Sequence, residues 1–223
     1  KKENDTVLSY KVFVEDSIKF PINILYNLNN FNFGSTEDYM KLNKMFLKFE
    51  KLIFGESHAN YILSLSEYAF FLSNDKQYKK AIKINNKLLK LKEKKNGKNS
   101  DYALTLNNLA HDYAIIGNLE KSLNLFKQSN EIILSSLNVD TVDIFRSYHN
   151  LASAYNDLTY FDSALTVNIT ANNLSLKYYG ENHFQYARSL NNLARSYDEL
   201  GENKKALDLT KKVLNKMESL FGK

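Results

Sequence analysis

The chain of 223 residues contains no cysteine, one proline and seven glycines. Without cysteine, a disulfide framework, a thiolate metal site and a cysteine nucleophile are all excluded. Because proline and glycine interrupt helices most strongly, their scarcity favours a chain built from long helices. Hydrophobic residues make up 43% of the chain, which is enough to form a packed core.

Membrane and enzyme signals are also missing from the sequence. No apolar run approaches the roughly 18 residues of a membrane span, and no signal peptide is visible. With the absence of cysteine, this predicts a cytoplasmic protein without a membrane partner. No nucleophile elbow, phosphate loop or His-Glu-x-x-His string occurs, so we expect no enzymatic activity and no cofactor. His111 and His149 lack a third ligand at a suitable spacing, which argues against a metal site.

The formal net charge is +5 and the isoelectric point is about 9.0. Lysine and glutamate are spread along the chain, as on the solvated faces of helices. A basic surface that binds acidic peptides remains an open alternative. Nucleic acid is a less favoured partner, because acidic residues are interspersed throughout.

The strongest positive signal is internal repetition at an interval of 42 residues. A leucine-alanine pair recurs with a tyrosine three residues after the alanine and a small residue twelve after it. Seven residues after the alanine stands a glycine or a threonine. The alanines are Ala110, Ala152 and Ala194; the tyrosines are Tyr113, Tyr155 and Tyr197; the next positions are Gly117, Thr159 and Gly201, then Ser122, Ala164 and Ala206. A weaker copy occurs at Tyr68-Ala69.

Each copy has the pattern of two amphipathic helices. Leu106, Leu109, Ala110 and Tyr113 form one helical stripe, and a left-handed glycine such as Gly117 can end that helix. Small residues at the crossing allow the two helices to approach closely. One such hairpin cannot bury its apolar face alone, so a stack of hairpins is predicted.

A second recurring string joins successive hairpins. It reads Phe-Gly-Glu-Ser-His at 54–58 and Tyr-Gly-Glu-Asn-His at 179–183. We expect His58 and His183 to cap or orient the start of the following helix.

These intervals divide the chain into an N-terminal segment and four repeats: 1–57, 58–99, 100–140, 141–182 and 183–223. In the N-terminal segment the pattern is degenerate. Projection of the period places Asn27 at the alanine position and Gly34 between two helices, with Tyr39 to Phe54 as the second helix. Residues 5–32 are expected to form one or two helices, with Pro21 near a helix start.

The Asn-Leu-Ala, tyrosine, glycine and alanine spacing resembles the tetratricopeptide repeat. The 42-residue period and the Gly-Glu-x-His link are similar to its kinesin light chain subtype. The resemblance implies an all-α, right-handed superhelical solenoid of antiparallel helix hairpins. It further implies a scaffold that binds a partner protein or a linear peptide in a concave groove.

In that family the first helix of each hairpin lines the groove. By resemblance, the candidate partner-binding residues are Asn107, Asn108, His111, Arg146, His149, Asn150, Ser153, Asn156, Arg188, Asn191, Asn192 and Arg195. The asparagine row at 108, 150 and 192 can bond a peptide backbone or, alternatively, fix neighbouring helices to each other. The three arginines can hold carboxylates, or can be neutralised within the groove by Asp157, Asp198 and Glu199.

A different function is also compatible with the sequence. The chain could be a regulatory or sensor module that acts in cis on a signalling or caspase-like protease domain. The last helix is expected to leave an apolar side uncovered, formed by Leu207, Val213, Leu214 and Leu220. The same surface could support self-association.

Overall fold

The computed structural model describes residues 36–137 and 139–222, with side chains from residue 40 onward. All regular secondary structure in these ranges is α-helical, which confirms the predicted all-α class. The helices are α1 (Thr36–Phe54), α2 (Ala59–Asn74), α3 (Tyr78–Asn96), α4 (Ser100–Ile115), α5 (Leu119–Ser135), α6 (Thr141–Asp157), α7 (Phe161–Tyr179), α8 (Phe184–Glu199) and α9 (Asn203–Phe221).

The predicted helix from Tyr39 to Phe54 lies within α1. The expectations for residues 5–32, including the position of Pro21, lie outside the described residues. The same holds for the projected roles of Asn27 and Gly34.

The chain divides into two compact units, Lys1–Phe71 and Leu72–Lys223. In the described part of the first unit, Leu47 on α1 is buried, as are Leu65 and Ala69 on α2. A buried carboxyl, Glu50, accepts a hydrogen bond from Ser64, and burial raises the pKa of this glutamate above its ordinary value. This polar pair ties α1 to α2 inside the first unit.

In the second unit, each helix from α3 to α9 packs against the next one along the chain. Loops of three to five residues join them, so successive helices run antiparallel. The core of this unit includes Leu106, Leu109, Phe126 and Leu151. The amphipathic stripes therefore bury the faces that the repeat pattern assigns to the interior.

Small residues sit at the helix crossings, as predicted. Ala110 and Ala164 are fully buried, and Ser122 and Ala152 are almost fully buried. A side chain limited to one or two heavy atoms lets two helix backbones approach more closely than a leucine would.

The helix ends follow one repeated turn. Gly117 and Gly201 take positive φ values of 84° and 73°, which confirms their predicted role at the end of a helix. Thr159 occupies the equivalent place with a φ of 61°. In its turn the amide of Tyr160 donates to the carbonyl of Tyr155 at 2.8 Å, closing the turn as its glycine counterparts do.

The two histidine links also form as predicted. The Nδ1 atom of His183 accepts from the amide of Gln185 at 3.1 Å at the N-terminus of α8. In the first unit, Nδ1 of His58 accepts from the amide of Asn60 at 3.2 Å. Each imidazole thereby satisfies one of the free amides at the start of a helix.

Candidate functional site

The twelve candidate residues lie on three helices of the second unit, α4, α6 and α8. Their exposure separates them into three groups. Asn108, His111, Arg146, Arg188, Asn191 and Arg195 are exposed; His149, Asn150, Ser153, Asn156 and Asn192 are half-buried; Asn107 is buried.

The asparagine row forms bonds between neighbouring repeats. The Nδ2 atom of Asn150 donates to Oδ1 of Asn107 at 3.4 Å. One repeat further, Nδ2 of Asn192 lies 3.4 Å from Nδ1 of His149, with the same spacing of 43 residues along the chain. These contacts favour the interpretation that Asn150 and Asn192 fix the stacking of helices, while Asn108 stays exposed.

Four candidate residues meet in one pocket of the second unit, which we call the α6–α8 pocket. Its volume is about 130 Å³. The residues that line it are Val142, Phe145, Arg146 and His149 from α6, Asn168 and Ala171 from α7, and Gln185, Arg188, Ser189 and Asn192 from α8. One part of its wall is apolar and another carries two guanidinium groups and an imidazole.

Six of the ten lining residues were not among the sequence candidates. Asn168 and Ala171 were missed because the resemblance assigns the groove to the first helix of each hairpin, whereas α7 is a second helix. Gln185 lies three residues before Arg188, and Ser189 lies three residues before Asn192. One-turn helical neighbours of these two candidates would therefore have been a usable signal.

Polar side chains around the pocket form hydrogen bonds with each other. The amide of Asn168 donates to Oγ of Ser196 at 2.7 Å, and the hydroxyl of Ser189 donates to Oδ1 of Asn172 at 3.1 Å. These bonds hold α7 against α8 beside the pocket. A buried amide with its partner supplied by the protein does not itself require a ligand.

The three candidate arginines differ in their electrostatic partners. Arg146 pairs with Asp143, one turn earlier on α6, at 2.9 Å. No carboxylate in the described part of the chain forms an ion pair with Arg188 or Arg195. The neutralising groups considered from the sequence, Asp157, Asp198 and Glu199, therefore form no such pairs within 36–137 and 139–222.

His149 lies half-buried among these cations. Burial lowers its pKa below the ordinary value, and the positive charges of Arg188 and then Arg195 lower it further. Because an amide nitrogen only donates, the contact with Asn192 uses the lone pair of Nδ1. The neutral ring of His149 then carries its proton on Nε2.

Other candidates lie away from the α6–α8 pocket. Asn107, Asn108 and His111 are on α4, and Ser153 and Asn156 are on later turns of α6. The Oδ1 atom of Asn156 is buried without a hydrogen-bond partner among the described residues. Arg195 does not line the pocket, but its charge reaches His149.

Two further observations concern the described residues only. None of the helices between residues 36 and 222 combines the length and apolarity that crossing a membrane requires. Within the same ranges, histidine, aspartate and glutamate side chains form no group of three suited to a metal ion.

Repeated helix pairs, buried alanines at each crossing and a polar row on alternate helices define the class of helical-repeat proteins. The sequence profile of the tetratricopeptide repeat matches residues 60–134 and 143–219, more than half of the chain. The chain therefore belongs to the tetratricopeptide repeat family, as its sequence pattern predicted. A comparison with curated protein sequences gave no match.

Solved structures with the same fold include kinesin light chain-like proteins. The nearly identical TPR-like repeats of a protein described as a kinesin light chain from Podosopora anserina superpose with a TM-score of 0.76 at 18% identity, covering 85% of this chain and 90% of that one. BtubC (BKLC) from P. vanneervenii gives a TM-score of 0.68 at 16% identity, covering 83% and 75% of the two chains. MamA gives 0.59 at 14%, covering 83% and 91%. At these identities the likeness establishes the fold.

Proposed function

We propose that this chain is a protein-interaction scaffold that binds an acidic segment of a partner protein at the α6–α8 pocket and along the adjoining groove. The observation that supports this proposal is that Arg188 and Arg195 lack an internal counter-ion within the part of the chain that the structure describes. Both are exposed, and neither forms an ion pair with a carboxylate in the described residues. Guanidinium groups left without an internal partner are available for carboxylates of a ligand.

The geometry of α8 suggests how an acidic segment would be recognised. Arg188, Asn192 and Arg195 have the i, i+4, i+7 spacing of one helix face, so the two arginines are separated by about 10 Å along the helix. A ligand segment in the polyproline II conformation advances about 3.1 Å per residue with three residues per turn, so carboxylates three residues apart would lie on one side of it, about 9 Å from each other, and would match this separation. Val142 and Phe145 would receive an apolar side chain between or beside them.

A labelled hexa-aspartate peptide is a direct probe of this function, measured by fluorescence anisotropy at low ionic strength. The double variant Arg188→Gln/Arg195→Gln is expected to weaken binding by about tenfold or more, since two charge-assisted contacts are lost. The matched control is Lys204→Gln/Lys211→Gln, which removes two exposed cations with the same spacing from α9. Equal losses in both double variants would show that net charge alone attracts the probe and would remove the proposal.

A second candidate function rests on a different observation, the exposed apolar side chains of α9. Leu207, Leu214 and Phe221 are 54%, 58% and 68% exposed and follow one another at intervals of seven residues. Such a stripe suits packing against another domain, as in a module that regulates an effector in cis, or against a second copy. Light scattering tests the second copy: a mass that rises with concentration, and does not rise in Leu207→Glu/Leu214→Glu, supports self-association. A constant monomer mass removes it.

A further inference from the structure

We propose that binding of an acidic segment at the α6–α8 pocket is coupled to protonation of His149, so that the pocket binds more tightly as the pH falls. This inference rests on the proposed function and adds a regulatory property to the same site. It concerns carboxylate ligands, which keep their charge over the pH range in which a histidine titrates.

The repeats themselves show that His149 is unusual. The equivalent residues one repeat before and one repeat after it are Asn107 and Asn191, each 42 residues away. The contact that His149 makes with Asn192 is matched by the contact that Asn107 makes with Asn150. An asparagine is therefore sufficient for the stacking contact, and stacking alone gives no reason for a titratable ring at this place.

The charged groups around His149 are cationic on two sides. On α6, Arg146 lines the same pocket but is paired with Asp143. On α8, Arg188 lines the pocket and Arg195 lies close enough for its charge to act on the imidazole. With no internal carboxylate paired to either α8 arginine in the described residues, a proton on His149 adds a third positive charge.

The remaining neighbouring helices supply no counter-charge at the pocket. Between Ser163 and Leu176, α7 carries no charged residue. On α4, His111 does not line the pocket, and the carboxylate of Asp112 accepts hydrogen bonds from Ser73 and Asn85 instead. The helix α5 also packs against α6, but none of its charged residues lines the pocket. In the free protein these surroundings oppose protonation of His149.

An acidic ligand would instead favour protonation of His149. Carboxylates bound to Arg188 and Arg195 cancel their charges and add negative potential beside the ring, so the bound protein holds a proton on His149 more tightly than the free protein. Rotation of the Asn192 amide then presents Oδ1 to the Nδ1–H of the imidazolium. By linkage, a complex that takes up a proton becomes tighter as pH falls through the pKa of the bound state.

The test measures hexa-aspartate binding to the full chain at pH 7.5 and pH 5.5 at constant ionic strength. Aspartate side chains ordinarily titrate near pH 3.9, so the probe remains charged at both values. We expect the affinity of the wild type to be about five- to tenfold higher at the lower pH. His149→Asn, which installs the residue found at 107, should bind at both pH values and lose this dependence. His58→Asn removes a histidine that lies outside the partner-binding candidates and keeps a capping acceptor, so this variant should retain the pH dependence.

A second measurement determines the pKa of His149 directly, with and without the bound peptide. The chain has four histidines, so NMR can resolve their ring signals, and the signal missing from His149→Asn identifies that residue. Saturation with hexa-aspartate should raise the pKa of His149. Unchanged titration in the presence of bound probe would overturn the coupling.

The outcomes separate the two proposals. Binding that is equal at pH 7.5 and pH 5.5, or an equal pH dependence in His149→Asn, overturns the coupling and leaves the acidic-segment function standing. Failure of hexa-aspartate to bind at either pH overturns the proposed function, and the coupling with it. Circular dichroism on each variant verifies that the helical fold is retained.

Discussion

The imidazole of His183 lies flat against the phenol ring of Tyr179, with ring centroids 4.5 Å apart and an angle of 12° between the planes. Phe54 and His58 repeat this relationship in the first unit, at 4.6 Å and 21°. The Nδ1 atoms of the same two histidines also accept hydrogen bonds at the N-termini of the following helices. One side chain therefore joins the end of one helix to the start of the next.

We expect His183→Ala to lower the free energy of unfolding by about 1–2 kcal/mol, because it removes both the helix cap and the ring stacking. His183→Asn keeps a capping acceptor and loses only the stacking, so its loss should be smaller. Chemical denaturation followed by circular dichroism measures both. An equally large loss in the asparagine variant would mean that the cap contributes little.

Thr159→Gly should stabilise the protein by about 0.5–1 kcal/mol, because a β-branched residue is strained at the positive φ that this turn requires. Gly201→Thr places the same strain in an equivalent turn and should destabilise by a similar amount. Open space surrounds a Cβ added at Gly201, so the effect there arises from the backbone. Thermal unfolding compares the two; a lower melting temperature for Thr159→Gly would contradict the strain argument.

Ala152→Leu should be among the most damaging single changes, costing about 1–3 kcal/mol through overpacking. Ala152 is almost fully buried near the middle of α6, so the added methyl groups would push neighbouring helices apart. Asn173→Leu, at an exposed position of α7, adds apolar volume without that constraint and serves as the control. Urea denaturation measures both, and a wild-type midpoint for Ala152→Leu would show that this crossing has room.

Asp112 provides a pH-dependent prediction. Burial raises its pKa above the ordinary value. The hydrogen bond from Ser73, the charge of His111 and the hydrogen bond from Asn85 lower the pKa, but the effect of burial is larger. The folded state then holds this proton more tightly than the unfolded chain, so the associated stability is present at low pH and lost as pH rises through the raised pKa.

Asp112→Asn removes that titration. Relative to wild type, the free energy of unfolding of the variant should therefore increase as the pH is raised above about 4, the ordinary range of an aspartate. Urea denaturation at successive pH values measures the difference. Parallel profiles for the two proteins would indicate that Asp112 titrates alike in the folded and unfolded states.

Periodic features of the fold could be predicted from the sequence because each depends on residues close together in the chain. The spacing of Ala110, Ala152 and Ala194 fixes the helix crossings. The turn glycines fix the helix ends, since few other residues accept positive φ. The capping role of His58 and His183 was predicted from the recurrence of their string, whereas the stacking of these rings on Phe54 and Tyr179 was not.

The candidate site was less predictable, because its properties depend on which side chains meet across repeats. Sequence analysis placed Asn107 in the groove, yet it is buried against Asn150. It considered Asp157 as a counter-ion, whereas Arg146 pairs with Asp143. It did not include Asn168 from α7 in the site. Rotamers and the offset between stacked helices decide these contacts, and neither follows from spacing along the chain.

Arg188 and Arg195 form no ion pair with a carboxylate in the described residues, and this affects how freely the two positions can be substituted. Substituting an exposed side chain that forms no internal ion pair usually alters stability by less than about 0.5 kcal/mol. Residues at 188 and 195 can therefore be exchanged while the buried alanines and leucines maintain the fold. Under the proposed function, substitutions at these two positions would change the ligand preference while the same fold is kept, whether they arise by neutral drift or by deliberate redesign.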